Sequence, residues 1–473
     1  MDSDAANEKP SLGDDYSQDI ISTLPEEILS HILSFLATID AVRTSVLSKN
    51  WIYKWTSITN LDVDDKLLYS VKSRTSKAVF INFMNRVLSH IQSSRINNVS
   101  LRFSKFKNKA SVLNSWISAV LNKGVQKLNI EYLYEDHPLK QLDFVLPYSF
   151  FKSETLIELK LKLSNCIIRV PSGNILSNVR ILKITLLNFV SNSLSESKQI
   201  ILRFPVLKDF HMEYCTWLNV RNVSFDAPQL ENFSASAPKF GWRDDDARNS
   251  VINILALNLR KFSYRGYLTH GLILSKPTSV MDAYLNICKV YWKIDDTWQK
   301  TGLRACKLLT AFQNLKFLKL GYETVRAMTH ESPQVSTLPL FGSLVSLDIE
   351  MNFLSISQNM LFILLHKSPV LERLCLCLDP PNSSEDFLTS MEVPHCFTSS
   401  LKLVEFSTFF YEEMPSLSLP IYVLQNTTLL KRMTVKIKAQ FKTRDMKNII
   451  EEVLLSSPKA SKIASVAVQE IFY

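Results

Sequence analysis

Cys375 and Cys377 flank Leu376, so on an extended strand both thiols face one side, and His395-Cys396 follows nearby in the chain. Thiols and an imidazole are a donor set that zinc accepts, and His211 has the chemistry of a general acid or base. The spacing argues against both. The seven cysteines, at 166, 215, 288, 306, 375, 377 and 396, include no C-x-x-C pair, so neither a zinc ribbon nor a disulfide framework is expected. An isolated C-x-C on a strand packs as two small hydrophobes, and His211 reads as a solvated or contact residue. Nine glycines form neither a G-x-G-x-x-G turn nor a P-loop, and H-E-x-x-H, G-x-S-x-G and RING-type spacings are lacking. The expectation is a chain with no catalytic residue, no cofactor and no metal.

The question then becomes which elements carry binding surfaces. In Leu24-Pro25-Glu26-Glu27-Ile28-Leu29, Pro25 suits the first helical position, where its missing N–H has no intrahelical partner, and the two glutamates sit at the positive end of the helix dipole. Ile28, Leu29, Ile32, Leu33 and Leu36 then recur at helical spacing. Asp40 is expected to cap a second helix carrying Val42, Val46 and Leu47, and Trp51 and Trp55 share one face of a third. Leu33, Leu36, Val46 and Trp51 read as the core of this bundle. Three short helices in roughly 40 residues cannot hide so much apolar surface among themselves, so a partner is implied.

From Ile96 a pattern of apolar-x-x-apolar-x-apolar returns along the chain, as in Val125/Leu128/Ile130, Leu156/Leu159/Leu161, Leu315/Leu318/Leu320 and Leu371/Leu374/Leu376, with a weak unit at Val280/Ala283/Leu285. The starts run from Ile96 to Leu430 at a mean period of about 28, inside the range for leucine-rich repeats. Each unit is a short strand and a return segment, and one unit cannot hide its leucines without stacked neighbours, which predicts an α/β fold with a curved solenoid. Leu159, Leu161, Leu318, Leu320, Leu374 and Leu376 belong to its core. The stretch from Lys289 to Lys307 is expected to hold an insertion. A helix with Met446, Ile449, Ile450, Val453 and Leu454, and a last strand near Ile463 to Val468, close the array as a cap.

The formal net charge of +9 is unevenly placed. Through Arg43 the chain carries nine acids against two bases, so the arm is acidic and the body basic. No RRM, KH or zinc-finger pattern accompanies the bases, which alone supply only non-specific, salt-sensitive affinity for nucleic acid, so nucleic acid is not the expected partner. No apolar run is long enough to span a bilayer, and the reading is a soluble intracellular protein of nucleus or cytoplasm.

The N-terminal segment resembles the F-box, through Leu24-Pro25-x-Glu27-Ile28-Leu29, Ile32-Leu33-Ser34-Phe35-Leu36, Asp40-Ala41-Val42 and Leu47-Ser48-Lys49-x-Trp51. The body is similar to plant F-box and leucine-rich-repeat proteins, through Leu146-Pro147 and Ser368-Pro369-Val370-Leu371-Glu372-Arg373-Leu374. Beyond His395 the chain resembles the FBD module of that family, through Val393-Pro394-x-Cys396, Leu401-x-x-Val404-Glu405-Phe406 and Leu430-Lys431-Arg432-Met433. This divides the chain into a disordered acidic tail at 1–18, an F-box-like three-helix module at 19–62, a helical connector at 63–95, a leucine-rich-repeat solenoid at 96–394 and an FBD-like module at 395–473. The resemblance implies that Leu24, Pro25, Ile28, Leu29 and Ile32 dock a Skp-type adaptor, which connects to a cullin and a RING subunit, while the repeats hold a protein target for ubiquitination. A scaffold that sequesters a partner without ubiquitination is the alternative.

Strand alternation places Lys160, Lys183, His211, Lys261, Lys319, Arg373, Arg432 and Lys436 on the open face, among Glu158, Asp209, Asp348 and Glu405. Bases outnumber acids in that set, and Lys431 to Lys447 carries seven bases against Asp445 alone. The expected target is therefore acidic or phosphorylated.

Overall fold

The computed structural model describes residues 21–67, 77–91, 96–103, 110–133, 146, 148–171, 173–191, 199–218, 220, 222–236, 251–267, 271–275, 279–288, 298–329, 338–352, 355–379, 388, 391–408, 417–438 and 443–471. The acidic tail expected at 1–18 lies outside these residues.

Each apolar-x-x-apolar-x-apolar unit becomes one strand. In chain order the first are β1 (Asn60–Asp64), β2 (Asn98–Phe103), β3 (Lys127–Tyr132), β4 (Glu158–Val170), β5 (Gly173–Asn174), β6 (Ile181–Ser191) and β7 (Gln199–Arg203). Next come β8 (Asp209–Glu213), β9 (Thr216–Leu218), β10 (Asn222–Asp226), β11 (Asn232–Ser236), β12 (Val251–Leu255), β13 (Lys261–Tyr267) and β14 (Gly271–Ser275). The last are β15 (Asp282–Cys288), β16 (Phe317–Leu320), β17 (Ser346–Asn352), β18 (Arg373–Asp379), β19 (Leu403–Thr408), β20 (Arg432–Lys438) and β21 (Ser465–Ile471). One long parallel sheet runs β1-β2-β3-β4-β6-β8-β11-β13-β15-β16-β17-β18-β19-β20-β21, with β9 beside β6. Its neighbours are joined by return segments that cross behind the sheet, as parallel pairing requires.

The register puts like residues side by side. Leu128 pairs with Leu159, Leu159 with Leu182, Leu318 with Leu347, and Leu347 with Leu374. All six leucines assigned to the core are buried, none more than 4% exposed. Aromatic rings continue the stack: Phe210, Phe233 and Phe262 lie with centroids 5.5 and 5.4 Å apart, the second pair nearly parallel at 5°. Serine hydroxyls tie successive units together. Ser279 Oγ donates to Leu259 O at 2.8 Å, Ser400 Oγ to Leu371 O at 2.9 Å and Ser461 Oγ to Leu430 O at 2.7 Å, each on the unit before its own.

The return segments are of two kinds. At either end they are helical, including Lys77–His90 and Ala110–Leu121 near the start, and Trp298–Thr310, Tyr322–Thr329, Ser355–His366, Ser418–Asn426 and Thr443–Ser456 later. Between 173 and 275 they are short strands forming a second parallel sheet, β14-β12-β10-β7-β5, which the sequence reading did not anticipate. Ile200/Leu202 and Val223/Phe225 alternate there with less buried residues, and period-two burial of branched and aromatic side chains suits a strand. Three other elements depart from expectation. The long sheet begins at β1, ahead of Ile96. Residues 298–310, expected within an insertion, form a return helix packed on Tyr322–Thr329, while 289–297 lie outside the described residues. The third helix expected around Trp51 and Trp55 is wound as two 3-10 turns, Lys49–Trp51 and Lys54–Ser57, which still bury both indoles.

Replacing Leu318 with Ala is expected to cost about 2–5 kcal/mol, since a fully buried leucine in a stack cannot be refilled by its neighbours. Urea denaturation of the intact chain measures this, and an unshifted midpoint would contradict the register.

Candidate partner-binding faces

The first face lies on the N-terminal module. Pro25 is the N-cap of helix Glu26–Leu33, with φ −52° and ψ 148°, one position earlier than expected. Asp40, expected as a cap, lies inside helix Thr38–Arg43 and pairs with Arg43 at 2.9 Å. The helix Glu26–Leu33 divides its apolar residues. Leu29 and Leu33 turn inward at 2% exposure, whereas Ile28 is 47% exposed and Ile32 44%. Phe35 follows at 76%, and Val46 and Leu47 stand at 85% and 65% in the next turn. Spacing of about four residues aligns Ile28, Ile32 and Phe35 along one side. Pro25 is exposed, and Leu24 is partly buried against the core.

Leu29 is therefore a correction to the adaptor set, because its side chain fills the module's own core. Leu36 and Val46, expected inside, are on the surface, while Leu33 and Trp51 are buried. The exposed side is rigidly backed. Glu26 pairs with Lys54 at 3.0 Å, Ser30 and Ser57 hydroxyls meet at 2.5 Å, and Trp55 Nε1 donates to Ile52 O at 3.0 Å. The module also sits on the sheet, since Asp62 N of β1 donates to Thr38 Oγ1 at 2.9 Å.

The second face is the open side of the long sheet. All eight sequence-assigned residues lie on it, in three outward rows. Lys160, Lys183, His211 and Lys319 share the middle row, Lys261, Arg373 and Arg432 the first, and Lys436 the third. Most have acidic partners. Lys160 reaches Glu158 at 2.7 Å, His211 reaches Glu213 at 2.9 Å, Lys319 reaches Glu350 at 3.2 Å, and Glu405 takes Lys436 at 2.5 Å with Arg373 at 4.0 Å. The Lys160 hydrogen bond holds the Glu158 carboxyl below its ordinary range, against the opposing effect of burial. Burial works against the Lys319 ammonium, but Glu350, with Asp348 and Tyr284, outweighs it and raises its pKa.

The three outward rows add Asp62, Asp64, Glu131, Glu213, Asp282 and Glu350 to the four acids already named, and Arg102, Lys127, Lys162 and Arg265 to the bases. Ten acids then face eleven bases. The expected basic surplus is a correction, because the reading took one or two outward positions per strand and missed carboxylates such as Glu213 and Glu350, two residues further along.

Cys375 and Cys377 do share one face, beside Asp348 and Glu350 of β17. Burial pushes the Cys375 thiol far above its usual range, and those of Cys166, Cys215 and Cys396 up to about 12. Among the described residues no group of three His, Cys, Asp or Glu side chains is placed to hold a metal. No helix among them is long and apolar enough to cross a membrane.

A small helical module with exposed apolar side chains stands on the first edge of a parallel repeat sheet, and comparison with known sequences gives both parts a family. Residues 87–471 match the leucine-rich-repeat domain described as At1g61320/AtMIF1, LRR domain, and residues 21–61 match the F-box domain. The chain belongs to the F-box/LRR-repeat family. It is 29% identical over 98% of its length to the F-box/FBD/LRR-repeat protein At3g14710 of Arabidopsis thaliana, covering 97% of that protein. Against the F-box/LRR-repeat protein At2g42730 of the same plant the figures are 26%, 96% and 98%.

The split of the first helix gives a direct check. Leu29→Ala should destabilise the chain by about 2–5 kcal/mol, whereas Ile32→Ser should stay within roughly 0.5 kcal/mol. Thermal unfolding of both variants reads the difference, and equal shifts would contradict the assigned faces.

Proposed function

We propose that this chain is the substrate-recognition subunit of an SCF-type ubiquitin ligase, with the F-box docking a Skp-type adaptor and the repeats holding a protein target. The observation that carries the reading is the apolar side Ile28, Ile32 and Phe35, with Pro25, Val46 and Leu47 exposed on the same small module. Large apolar side chains held out on a well-packed module mark an interface, and an amphipathic helix laid against a partner is a recurrent recognition mode. The chemistry is supplied elsewhere. The adaptor would link the chain to a cullin and a RING subunit, and a ubiquitin-charged enzyme would meet target lysines at high effective concentration. The chain itself makes and breaks no bond in this mechanism.

Support for the two-sided arrangement comes from the Thr38 contact to β1, which ties the module directly to the repeat sheet. A tethered target is thus held at a defined distance from the adaptor.

Replacing Pro25 and Ile28 together with Asp is expected to abolish co-purification of a Skp-type adaptor, since two charges would enter an apolar contact, while the fold persists because both sites are exposed. Undiminished capture by the folded double variant would sink the docking assignment. Target half-life with the native chain and with this variant separates a ligase subunit, which shortens it, from a sequestering scaffold, which does not.

A further inference from the structure

Each unit of the sheet has two residues between its first and second core positions, and these form the edge where the strands begin. From β13 to β20 that edge is continuous. Met281 N donates to Arg260 O, Lys316 N to Met281 O and Val345 N to Lys316 O, and the same ladder continues through Glu372 and Lys402 to Lys431. It takes in the first outward row together with the residue before it in each unit. Its centre exposes four large apolar side chains, Phe317 at 50%, Leu403 at 43%, Met281 at 37% and Val345 at 36%, set among Asp282, Lys316, Ser346, Glu372, Arg373 and Lys402. Both ends are basic, with Arg260 and Lys261 at β13 and Lys431 and Arg432 at β20, all exposed.

Neither Lys316 nor any of those four terminal bases has an ion pair among the described residues. Of the acids on this edge, Glu372 is engaged by Lys402 at 2.6 Å and Asp282 stands beside Lys261 in register, while one row above Glu405 pairs with Lys436 and Arg373. A half-exposed phenylalanine and leucine between exposed terminal cations fit an occupant with bulky apolar side chains in the middle and negative charge at both ends.

We propose that this edge is the docking site for an extended target segment carrying carboxylates at either end and bulky apolar side chains between them. The proposal rests on the reading of the repeats as target-binding and names the target's chemistry. Seven strands at ~4.8 Å spacing span roughly 29 Å, which an extended chain covers in about nine residues at ~3.3 Å each. The terminal bases steer and orient such a segment, while burial of Phe317 and Leu403 supplies affinity.

The test uses the full chain and a fluorescent synthetic peptide with Leu-Phe-Leu between two acidic triplets, measured by anisotropy. The expected result is saturable binding that weakens by at least about tenfold in Phe317→Ser/Leu403→Ser and again in Arg260→Glu/Arg432→Glu. Both sites are exposed, and a circular dichroism melt confirms that the variants remain folded. Equal binding of a peptide with lysine triplets, or unchanged affinity in either variant, would overturn the site. Tighter binding of an oligonucleotide, indifferent to the Phe317 variant, would replace the acidic segment with a general polyanion. Binding of a serine-flanked peptide only after its phosphorylation would replace it with a phosphoprotein. Adaptor capture by the same variants reads the ligase assignment separately: its absence from the native chain as well, with peptide binding intact, would remove that assignment and leave this site standing.

Discussion

No unit of this protein can hide its own leucines. A short strand offers two or three inward side chains and a row of backbone N–H and C=O groups, and both requirements are met only by the next unit in register. Leu318 is buried because Leu347 lies beside it and Ala283 on the other side, and the serine hydroxyls that reach back one unit satisfy carbonyls the turns would otherwise leave open. The outward rows, and therefore every surface residue's neighbours, follow from the same register.

That register also decides what the two faces can do. At the first edge, β1 is covered by the F-box module, whose Thr38 accepts a hydrogen bond from the strand, so an exposed edge becomes a fixed junction. Anchored there, the module keeps Leu29 and Leu33 inside and holds Ile28, Ile32 and Phe35 out. On the open face the register sets carboxylates beside ammonium groups, and the pairs Lys319–Glu350 and Lys436–Glu405 neutralise what a linear reading counted as basic. Net charge said little about local charge.

Much of this was legible in the chain. The repeating leucines fixed the strand positions because their inward burial is the dominant local demand, even in the weak unit at Ala283 and Leu285, where both residues are fully buried. Strand β1 was legible too, since Ile58, Leu61 and Val63 repeat the same spacing, but it falls inside a segment read as helical. The second sheet hid for a different reason: return segments answer only to the space behind the ladder, and their period-two pattern of Ile200/Leu202 and Ile252/Ile254 is short. Which side of the first helix faces out was not written in its spacing, because Ile28 and Leu29 are both apolar and only the packing of Trp51, Trp55 and Ile58 decides between them. The cross-strand pairs Lys319–Glu350 and Lys436–Glu405 were invisible for want of register.

The account turns on a module that presents apolar side chains to an adaptor while the repeat body stays free for a second protein. Hydroxyl-radical footprinting of the intact chain, with and without a purified Skp-type adaptor, tests this at side-chain level. The expected result is strong labelling of Ile28, Ile32, Phe35 and Leu47 that falls on adaptor binding, little labelling of Leu29 and Leu33 in either state, and unchanged labelling of Phe317 and Leu403. Unaltered labelling at Phe35 and Leu47, or protection at Phe317, would contradict it.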